Sequence, residues 1–332
     1  MSDKKAILVT GGAGYIGSHV VRQLGEAGET IVVLDNLCTG FKESVLYGEL
    51  VVGDTGDREL VSQLLKKHNI GSVMHFAAHT IVPESVSNPL KYYGNNTCNS
   101  RNLLECCSAA GVEHFIFSST AAVYGIPEVE QVTEDTPTSP INAYGGSKLM
   151  TEQMLKDLSF ATDLRHVALR YFNVAGSDPQ GRIGQSTLGA TLLIKVACEA
   201  ALGKRDKICI FGTDYPTPDG TGIRDYIHVE DLAGAHLAAL EYLRAGGKST
   251  TLNCGYGHGY SVHEVLDSVQ RVHGSPLNII EEPRRAGDPP QLIAKVDAIH
   301  EKLDWNVKCD DLDFIVKTSL AWEKKLLEKA AK

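Results

Sequence analysis

The chain has 332 residues, of which 43% are hydrophobic and 22% are charged, and its formal net charge is -9. That hydrophobic fraction suffices for a packed core and excludes a disordered chain, and there is no run of about 18 apolar residues that could cross a membrane. An acidic chain of mixed charge does not favour a broad surface for nucleic acid or lipid. The 32 glycines, which follow no collagen-like period, indicate many tight turns and close approaches of backbone to ligand.

The N-terminus and the cysteines predict a cytoplasmic protein. The apolar run that precedes Thr10 is too short for the core of a signal peptide. The eight cysteines include no C-x-x-C pair, so a zinc ribbon or a thioredoxin-like site is unsupported, and we expect reduced thiols. No metal site is expected, and His75 and His79 are interpreted as strand and loop residues.

The first 170 residues alternate short apolar runs with amphipathic stretches of helical period. Most of these runs are apolar throughout, as strands buried on both faces are, and they predict an α/β fold with a Rossmann-type, doubly wound parallel sheet. Asp57 and Asn142 are candidate helix N-caps, and Ser261 with Glu264 forms a capping box. The apolar runs are residues 6–9, 30–34, 50–52, 72–76, 114–117 and 167–169.

After Asn173 the sequence changes character, with loop-like stretches rich in Gly, Pro, Ser and Asp. We predict a larger first domain over 1–173, with a return segment at about 228–254, and a smaller α/β substrate-binding region formed by 174–227 and 255–332. The elements predicted beyond residue 173 are helices over 191–202 and 229–243 and strands over 208–211 and 250–254.

A glycine pattern follows the first predicted strand. Residues 10–17, TGGAGYIG, have the spacing G-x-x-G-x-x-G and open an amphipathic helix, the context that a dinucleotide-binding turn requires. Gly11 permits the tight turn, Gly14 lets the backbone approach a pyrophosphate, and Gly17 lets the helix pack on the sheet. The N-terminus of the helix favours the negative charge of the phosphates.

The second predicted strand ends in Asp35, 18 residues after Gly17. A carboxylate at this place accepts hydrogen bonds from ribose hydroxyls and repels a 2′-phosphate, and neither position 36 nor position 37 is Arg or Lys. The predicted cofactor is therefore NAD rather than NADP. Asp54 ends the third run in the same way and is expected to face the adenine.

Tyr144 and Lys148 form a Y-x-x-x-K pair, a motif with little specificity by itself. Asn142 can cap a helix that places both side chains one turn apart on one face. An ammonium beside a phenol favours the phenolate, so Tyr144 can act as a base although the ordinary pKa of tyrosine is about 10.

Other residues suit an anionic ligand. Ser118 and Thr120 follow a predicted strand, and hydroxyls at the carboxyl end of a parallel strand lie where α/β proteins bind ligands. Arg224 and the pair Arg284-Arg285 lie in the second region, and guanidinium groups bind phosphates in a bidentate way. Arginines exposed to solvent at the surface are the alternative interpretation.

These motifs, in this order, resemble the extended short-chain dehydrogenase/reductases, and in detail they are similar to the UDP-glucose 4-epimerases of that family. The similar stretches, which span nearly the whole chain, are TGGAGYIGSHV (10–20), VVLDNL (32–37), HFAA (75–78), PESV (83–86), YYGNN (92–96), FIFSSTAAVYG (115–125), NAYGGSKLMTE (142–152), LRYFNVAG (169–176), FGTDYPTPDGTGIRDYIHVEDLA (211–233) and RRAGD (284–288).

The resemblance implies 4-epimerisation of a UDP-hexose, UDP-glucose or UDP-galactose, with bound NAD regenerated in each turnover. Tyr144 would remove the proton of the sugar 4-hydroxyl while hydride leaves C4, and hydride would return to the other face of the 4-keto sugar. Lys148 would bind the nicotinamide ribose and lower the pKa of Tyr144, and Thr120 would relay the proton of O4. The family also implies a homodimer.

The resemblance further assigns the binding residues. NAD contacts are expected from Gly11, Gly14, Tyr15, Ile16, Gly17, Asp35, Asn36, Asp54, Thr55, Phe76, Ala77, Asn95, Ser118, Tyr144, Lys148 and Phe172. Contacts with the UDP-sugar are expected from Thr120, Tyr144, Asn173, Arg224, Arg285 and Asp288. No nucleic acid and no membrane is expected as a partner.

Three alternatives remain at this point. Leu292, at the family position that gates N-acetyl sugars, is of intermediate size, so UDP-GlcNAc, UDP-xylose or UDP-arabinose, and UDP-glucuronate remain possible substrates of a 4-epimerase. A nucleotide-sugar dehydratase usually follows its strand-end Thr with an acidic pair, where this chain has Ala121-Ala122. A non-catalytic NAD-sensing regulator commonly lacks the Tyr/Lys pair, which this chain keeps. Thr80 stands where some family members have a lysine that touches the cofactor.

Overall fold

The computed structural model describes residues 5–285 and 287–330. Each strand predicted from the sequence is present, with ends that differ by a few residues at most. The strands of the described chain are β1 (Ala6–Thr10), β2 (Ile31–Asp35), β3 (Glu49–Val52), β4 (Ile70–His75), β5 (His114–Ser118), β6 (Arg165–Tyr171), β7 (Asn173–Ala175), β8 (Ile208–Phe211), β9 (Ile223–Arg224), β10 (Tyr226–His228), β11 (Thr250–Cys254), β12 (Tyr260–Ser261), β13 (Ile279–Glu282) and β14 (Gln291–Leu292).

Helices alternate with the strands over the first 170 residues and continue to the C-terminal part of the described chain. They are α1 (Tyr15–Glu26), α2 (Arg58–Lys67), α3 (Val82–Ser87), α4 (Pro89–Tyr92), α5 (Asn99–Ala110), α6 (Ala143–Ala161), α7 (Leu193–Ala201), α8 (Val229–Arg244), α9 (Val262–His273), α10 (Asp297–Lys302) and α11 (Leu312–Ala330). A π-helical turn (Tyr93–Cys98) precedes α5, and 3₁₀ turns lie at Lys42–Ser44 and Ala121–Tyr124.

The large sheet has seven parallel strands in the order β11-β6-β5-β4-β1-β2-β3. The strand order reverses between β1 and β4, which pair with Val9 opposite Met74. In open parallel sheets ligands bind at the carboxyl ends of the strands beside such a reversal. The predicted Rossmann-type, doubly wound fold is confirmed.

Both faces of this sheet are covered by helices. Ile7 and Val9 enter a hydrophobic core that α1 and α8 share, whereas Leu8 enters a second core on the opposite face with α2 and α5. Successive side chains of one strand point to opposite faces, so a strand between two cores is apolar throughout. The expected burial on both faces is wrong for β3, because β3 is the edge strand and Val52 is 61% exposed.

Three predicted helix starts are confirmed. The carboxylate of Asp57 accepts the third backbone N–H of α2 at 3.0 Å, and Asn142 accepts the corresponding N–H of α6 at 2.9 Å. Ser261 and Glu264 exchange side chain–backbone hydrogen bonds at the start of α9. These bonds satisfy N–H groups that have no partner within the helix. The Asn142 cap fixes where α6 begins and therefore places Tyr144.

The chain after β7 builds a third core, in which α7, α9 and α11 pack together beside small sheets of two or three strands. The segment α8–β11 returns to the large sheet, where α8 packs on α1 and Leu252 of β11 pairs with Leu169 of β6. Within residues 5–285 and 287–330, no helix has the length and apolarity needed to span a membrane.

Candidate active site

A cavity of about 620 Å³ lies at the carboxyl ends of the central strands, within the roughly 300–1,000 Å³ typical of ligand pockets. Its wall combines residues of the large sheet with residues of the chain after β7. Of the predicted site residues, the wall includes Gly11, Gly14, Tyr15, Ile16, Gly17, Asp35, Asn36, Asp54, Thr55, Phe76, Ala77, Asn95, Ser118, Thr120, Tyr144, Phe172, Asn173, Arg224 and Asp288. Lys148 and Arg285 are not part of this wall.

The glycine turn between β1 and α1 leaves no space for side chains. Gly11 has a φ of +72°, and a Cβ at this position would lie 2.5 Å from the backbone nitrogen of Ala77. A Cβ at Gly17 would overlap the carbonyl oxygen of Gly11. The turn therefore requires glycine at both positions and leaves the N-terminus of α1 open toward the cavity, an arrangement that suits a phosphate.

Asp35 ends β2 and lies on the cavity wall. Its carboxylate accepts the backbone N–H of Ala13 at 2.9 Å and that of Leu37 at 2.8 Å. Asp35 thus also holds the glycine turn against the end of β2, a role that its place in the sequence did not indicate. The next residue, Asn36, donates from its side-chain amide to the carboxylate of Asp54 at 2.9 Å.

Tyr144 lies in the first turn of α6, with its phenol hydrogen-bonded to Thr120 on the cavity wall. Burial raises the pKa of the Tyr144 phenol above its ordinary value, and the hydrogen bond from Thr120 opposes that rise. The protein alone therefore keeps this phenol protonated at neutral pH, and a phenolate needs further positive charge nearby.

Lys148 lies one helical turn after Tyr144 and is buried beneath the cavity. Its Nζ donates to the carbonyl oxygen of Ser118 at 2.8 Å and lies 5.0 Å from the centre of the Phe117 ring. Burial lowers the pKa of this ammonium to about 7, and the carboxylate of Glu152 opposes that fall. At neutral pH the charge of Lys148 therefore depends on the groups around it.

Ser118 and Tyr171 form a polar pair on the cavity wall. Their hydroxyls share a short hydrogen bond. The rings of Tyr171 and Phe76 both pack against His236, with ring centres 6.4 Å and 4.8 Å apart. The sequence analysis missed Tyr171, although it stands next to the predicted Phe172, because neighbouring strand residues are expected to point to opposite faces.

Arg224 and Asp288 reach the cavity from the chain after β7. Arg285 does not line the cavity: its guanidinium carbon lies 3.6 Å from the centre of the Phe211 ring. Arg284 stacks on a ring in the same way and forms an ion pair with Asp214 at 2.6 Å. Of the predicted arginines, the structure therefore brings Arg224 to the cavity and keeps Arg285 on an aromatic ring beside it.

The cavity wall also contains an ion pair that the sequence analysis missed. Lys91 of α4 donates to Glu84 of α3 at 2.6 Å, and both residues line the cavity together with Thr80. No signal in the sequence singled out Lys91, because it lies in a polar stretch without a recognisable motif. In the described chain, no group of three or more His, Cys, Asp or Glu side chains is arranged to hold a metal ion.

The arrangement combines a phosphate-binding glycine turn with a phenol and a buried lysine at the same edge of a parallel sheet. Such a site can move a proton on a hydroxyl while a bound dinucleotide exchanges a hydride with the neighbouring carbon. Fold and site together define a dinucleotide-dependent enzyme of the short-chain dehydrogenase/reductase type.

Comparison with known proteins identifies the family. Residues 7–255 match the NAD dependent epimerase/dehydratase family, and the chain belongs to that family. It is 55% identical over 331 residues to the UDP-glucose 4-epimerase of Azospirillum brasilense, a match that covers 98% of this chain and 95% of the relative.

Solved structures show the same similarity. The UDP-glucose 4-epimerase of Brucella ovis in complex with NAD has a TM-score of 0.93 at 43% identity, covering 96% of this chain and 98% of that one. The UDP-glucose 4-epimerase of Bifidobacterium longum in complex with NAD⁺ and UDP has a TM-score of 0.91 at 36% identity, covering 97% and 98%.

Proposed function

We propose that this protein is a UDP-glucose 4-epimerase that interconverts UDP-glucose and UDP-galactose with NAD as its bound cofactor. The observation that carries the proposal is a single cavity that joins the glycine turn, the phenol of Tyr144 and the guanidinium of Arg224. Such a cavity can hold a dinucleotide and a nucleotide sugar with the sugar next to the phenol. The similarity to the UDP-glucose 4-epimerase of Azospirillum brasilense supports the same function.

The residues at the cofactor end of the cavity fit NAD. The cradle at Gly11 is one that a Cβ would fill, and Asp35 presents a carboxylate beside it. The lysine and arginine on the described cavity wall, Lys91 and Arg224, lie outside β1–β3, so this end offers a partner for ribose hydroxyls and none for a 2′-phosphate. NAD, when bound, supplies the acceptor and donor of a hydride at C4 of the sugar. We assign its contacts to the predicted set, with Lys148 acting from beneath the cavity.

Tyr144 is the proposed general base and acid. Its phenolate takes the proton of the sugar 4-hydroxyl, and its phenol gives the proton back after the 4-keto sugar has presented its other face. Thr120, already hydrogen-bonded to the phenol, passes the proton between the two oxygens. Lys148 in its charged form stabilises the phenolate. One residue serves both directions, so a turnover releases no net proton.

Arg224 is the proposed anchor of the diphosphate, since a guanidinium pairs with phosphate oxygens in a bidentate way. Asn173 and Asp288 lie on the same cavity wall and are proposed to hold the rest of the UDP part. Arg285 stays a proposed contact, because it is three residues from Asp288 and its ring stack on Phe211 uses none of its N–H donors.

A direct assay tests the proposal. Purified protein loaded with NAD is incubated separately with UDP-glucose and with UDP-galactose, and both sugars are followed by ¹H NMR. We expect the two reactions to reach the same mixture without accumulation of free NADH. If folded, NAD-loaded protein interconverts neither sugar, the proposal is rejected.

The second candidate is the 4-epimerisation of UDP-N-acetylglucosamine. Leu292 lines the cavity and packs in a small hydrophobic cluster with Val123 and Tyr124, so it blocks less space than an aromatic ring would. A comparison of kcat/KM for UDP-galactose, UDP-GalNAc, UDP-arabinopyranose and UDP-galacturonate separates the candidates. We expect the highest value for UDP-galactose, which places the enzyme in galactose metabolism.

We propose a division of labour along the chain. Residues 1–173 with the return segment at about 228–254 hold the cofactor, and residues 174–227 and 255–332 hold the UDP-sugar. The packing of α8 on α1 and the pairing of β11 with β6 support the first group. Arg224 and Asp288 on the cavity wall support the second.

We also propose a homodimer in the cytoplasm. Met150 and Phe160 on α6 are 48% and 96% exposed, an apolar surface that a second copy can cover. All eight cysteines are free thiols, as expected in a reducing compartment. Light scattering after gel filtration should give twice the mass of one chain, and the mass of a single chain would reject the dimer.

A further inference from the structure

Three consecutive residues at the end of β5 bond to three residues on one face of α6. The helix residues are spaced four apart, so they lie above one another on that face. The pairs are Ser118 with Lys148, Ser119 with Glu152 and Thr120 with Tyr144. The first and last pairs contain the proposed catalytic groups, and the middle pair does not.

Glu152 in the middle pair is a buried carboxylate with charged and neutral partners. Besides the hydroxyl of Ser119, it accepts two hydrogen bonds from Arg170 of β6, from Nε at 3.0 Å and from Nη2 at 2.6 Å. Arg170 continues this network by donating to the hydroxyl of Tyr124 at 3.0 Å. Ring and guanidinium thus hold the carboxylate in place from the side opposite the cavity.

The groups that face Lys148 differ in charge. From β5 it meets the Phe117 ring and the Ser118 carbonyl, which are uncharged. From β4 it faces His75, which is neutral at pH 7 because burial lowers the pKa of its imidazole to about 3. From its own helix it faces Glu152, whose negative charge favours the ammonium. The anion acting on Lys148 is therefore Glu152.

We propose that Glu152 is a positioning residue for the epimerisation: its carboxylate keeps Lys148 charged and, through Ser119, holds the end of β5 against α6. The inference rests on the proposed function, because it assigns a role within the same site. A charged Lys148 is what stabilises the phenolate of Tyr144, so Glu152 acts on the reaction without touching the substrate. Without its charge, burial alone would act on Lys148, and the pKa of the ammonium would fall further.

The test is Glu152→Gln, which keeps the size of the side chain and an acceptor for Ser119 but removes the charge. The titration of Lys148 is followed by NMR in ¹³C-lysine-labelled, NAD-loaded protein, with the signal assigned through Lys148→Met. We expect the midpoint to fall by about one pH unit or more. The alkaline limb of the kcat profile should move to lower pH with it, because Lys148 then loses its proton at lower pH. KM for UDP-galactose should change by less than about twofold.

Two further variants separate charge from structure. Glu323→Gln removes another buried carboxylate, paired with Lys195 in the third core, and should leave the Lys148 midpoint unchanged. Glu152→Asp keeps the charge and should keep the midpoint near that of the wild type. Should Glu152→Gln fail to fold because Arg170 loses its partner, the double variant Glu152→Gln/Arg170→Gln still lacks the anion and should show the lowered midpoint.

The outcomes decide between this inference and the proposed function. An unchanged Lys148 midpoint in the Gln variant, or an equal shift in Glu323→Gln, overturns the role of Glu152. Absence of epimerisation by the wild type overturns the proposed function, while the NMR titration still reads the coupling of Glu152 to Lys148.

Discussion

The hydroxyl of Thr120 is hydrogen-bonded to the phenol of Tyr144, and its oxygen also accepts the backbone N–H of Ala122 at 3.1 Å. The second bond caps the 3₁₀ turn that follows β5. The position of the phenol is therefore set by backbone on both sides, by this turn and by the Asn142 cap of α6. The account of the reaction depends on that arrangement.

Removing the Thr120 hydroxyl should slow the reaction. Thr120→Ala takes away the hydrogen bond to Tyr144 and the proton relay, so we expect kcat to fall on the order of 10²-fold. Thr120→Ser keeps the oxygen and should stay close to the wild type. Steady-state kinetics of both variants gives the comparison, and equal losses in Ala and Ser would show that the methyl group matters rather than the hydroxyl.

Removing the phenolic hydroxyl should have a larger effect on kcat than on binding. We expect Tyr144→Phe to lower kcat by about 10²–10⁴-fold, because proton transfer at O4 loses its base and acid. The affinity for UDP, measured by calorimetry, should stay near the wild-type value, since Arg224 holds the diphosphate. Near-normal turnover by Tyr144→Phe would reject Tyr144 as the base.

The glycine turn should not tolerate a side chain at Gly11. In Gly11→Ala the new Cβ would meet the backbone of Ala77 at 2.5 Å in a left-handed conformation, which costs about 1–3 kcal/mol or moves the turn. We expect a lower Tm and loss of bound NAD, measured in the denatured supernatant. The control is Gly234→Ala in α8, where the nearest atom to a Cβ is at 3.8 Å and alanine favours the helix. Full NAD content in Gly11→Ala would contradict the proposed cradle.

Acid should destabilise the protein well above the pH at which its carboxylates titrate. Burial lowers the pKa of His75 to about 3 and those of His166, His228 and His236 to about 4. The unfolded chain takes up these protons near pH 6.5 and the folded chain does not, so stability falls as the pH drops from about 6.5 toward 4. Each such histidine contributes up to about 1.4 kcal/mol per pH unit within that window. Thermal unfolding at constant ionic strength should give a lower Tm at pH 5 than at pH 7, and an equal or higher Tm at pH 5 would contradict this assignment.

Features that depend on neighbouring residues could be predicted from the sequence. The caps at Asp57 and Asn142 follow from side-chain oxygens placed just before an apolar period, and the glycine turn follows from spacing after a strand. Asp35 was found because strand ends of a parallel sheet gather at one edge. These local signals were enough to place the cofactor end of the cavity.

Features that depend on packing between distant segments could not be predicted in this way. Arg285 stacks on Phe211 because the fold brings β8 beside residues 284–288, and no local pattern encodes that neighbour. The pKa of Lys148 depends on its burial beneath the cavity, which only the packed structure shows. Glu152 did leave a signal, since it follows Lys148 by the same four residues that separate Lys148 from Tyr144.

The fate of the hydrogen at C4 tests the central claim most directly. NAD-loaded protein is given UDP-galactose that carries deuterium at C4, in ordinary water, and the UDP-glucose formed is analysed by NMR and mass spectrometry. The account predicts that UDP-glucose forms and keeps the deuterium at C4, because the hydride returns to the carbon it left within one closed cavity. Product that has exchanged its deuterium for solvent hydrogen, or no product at all, would contradict it.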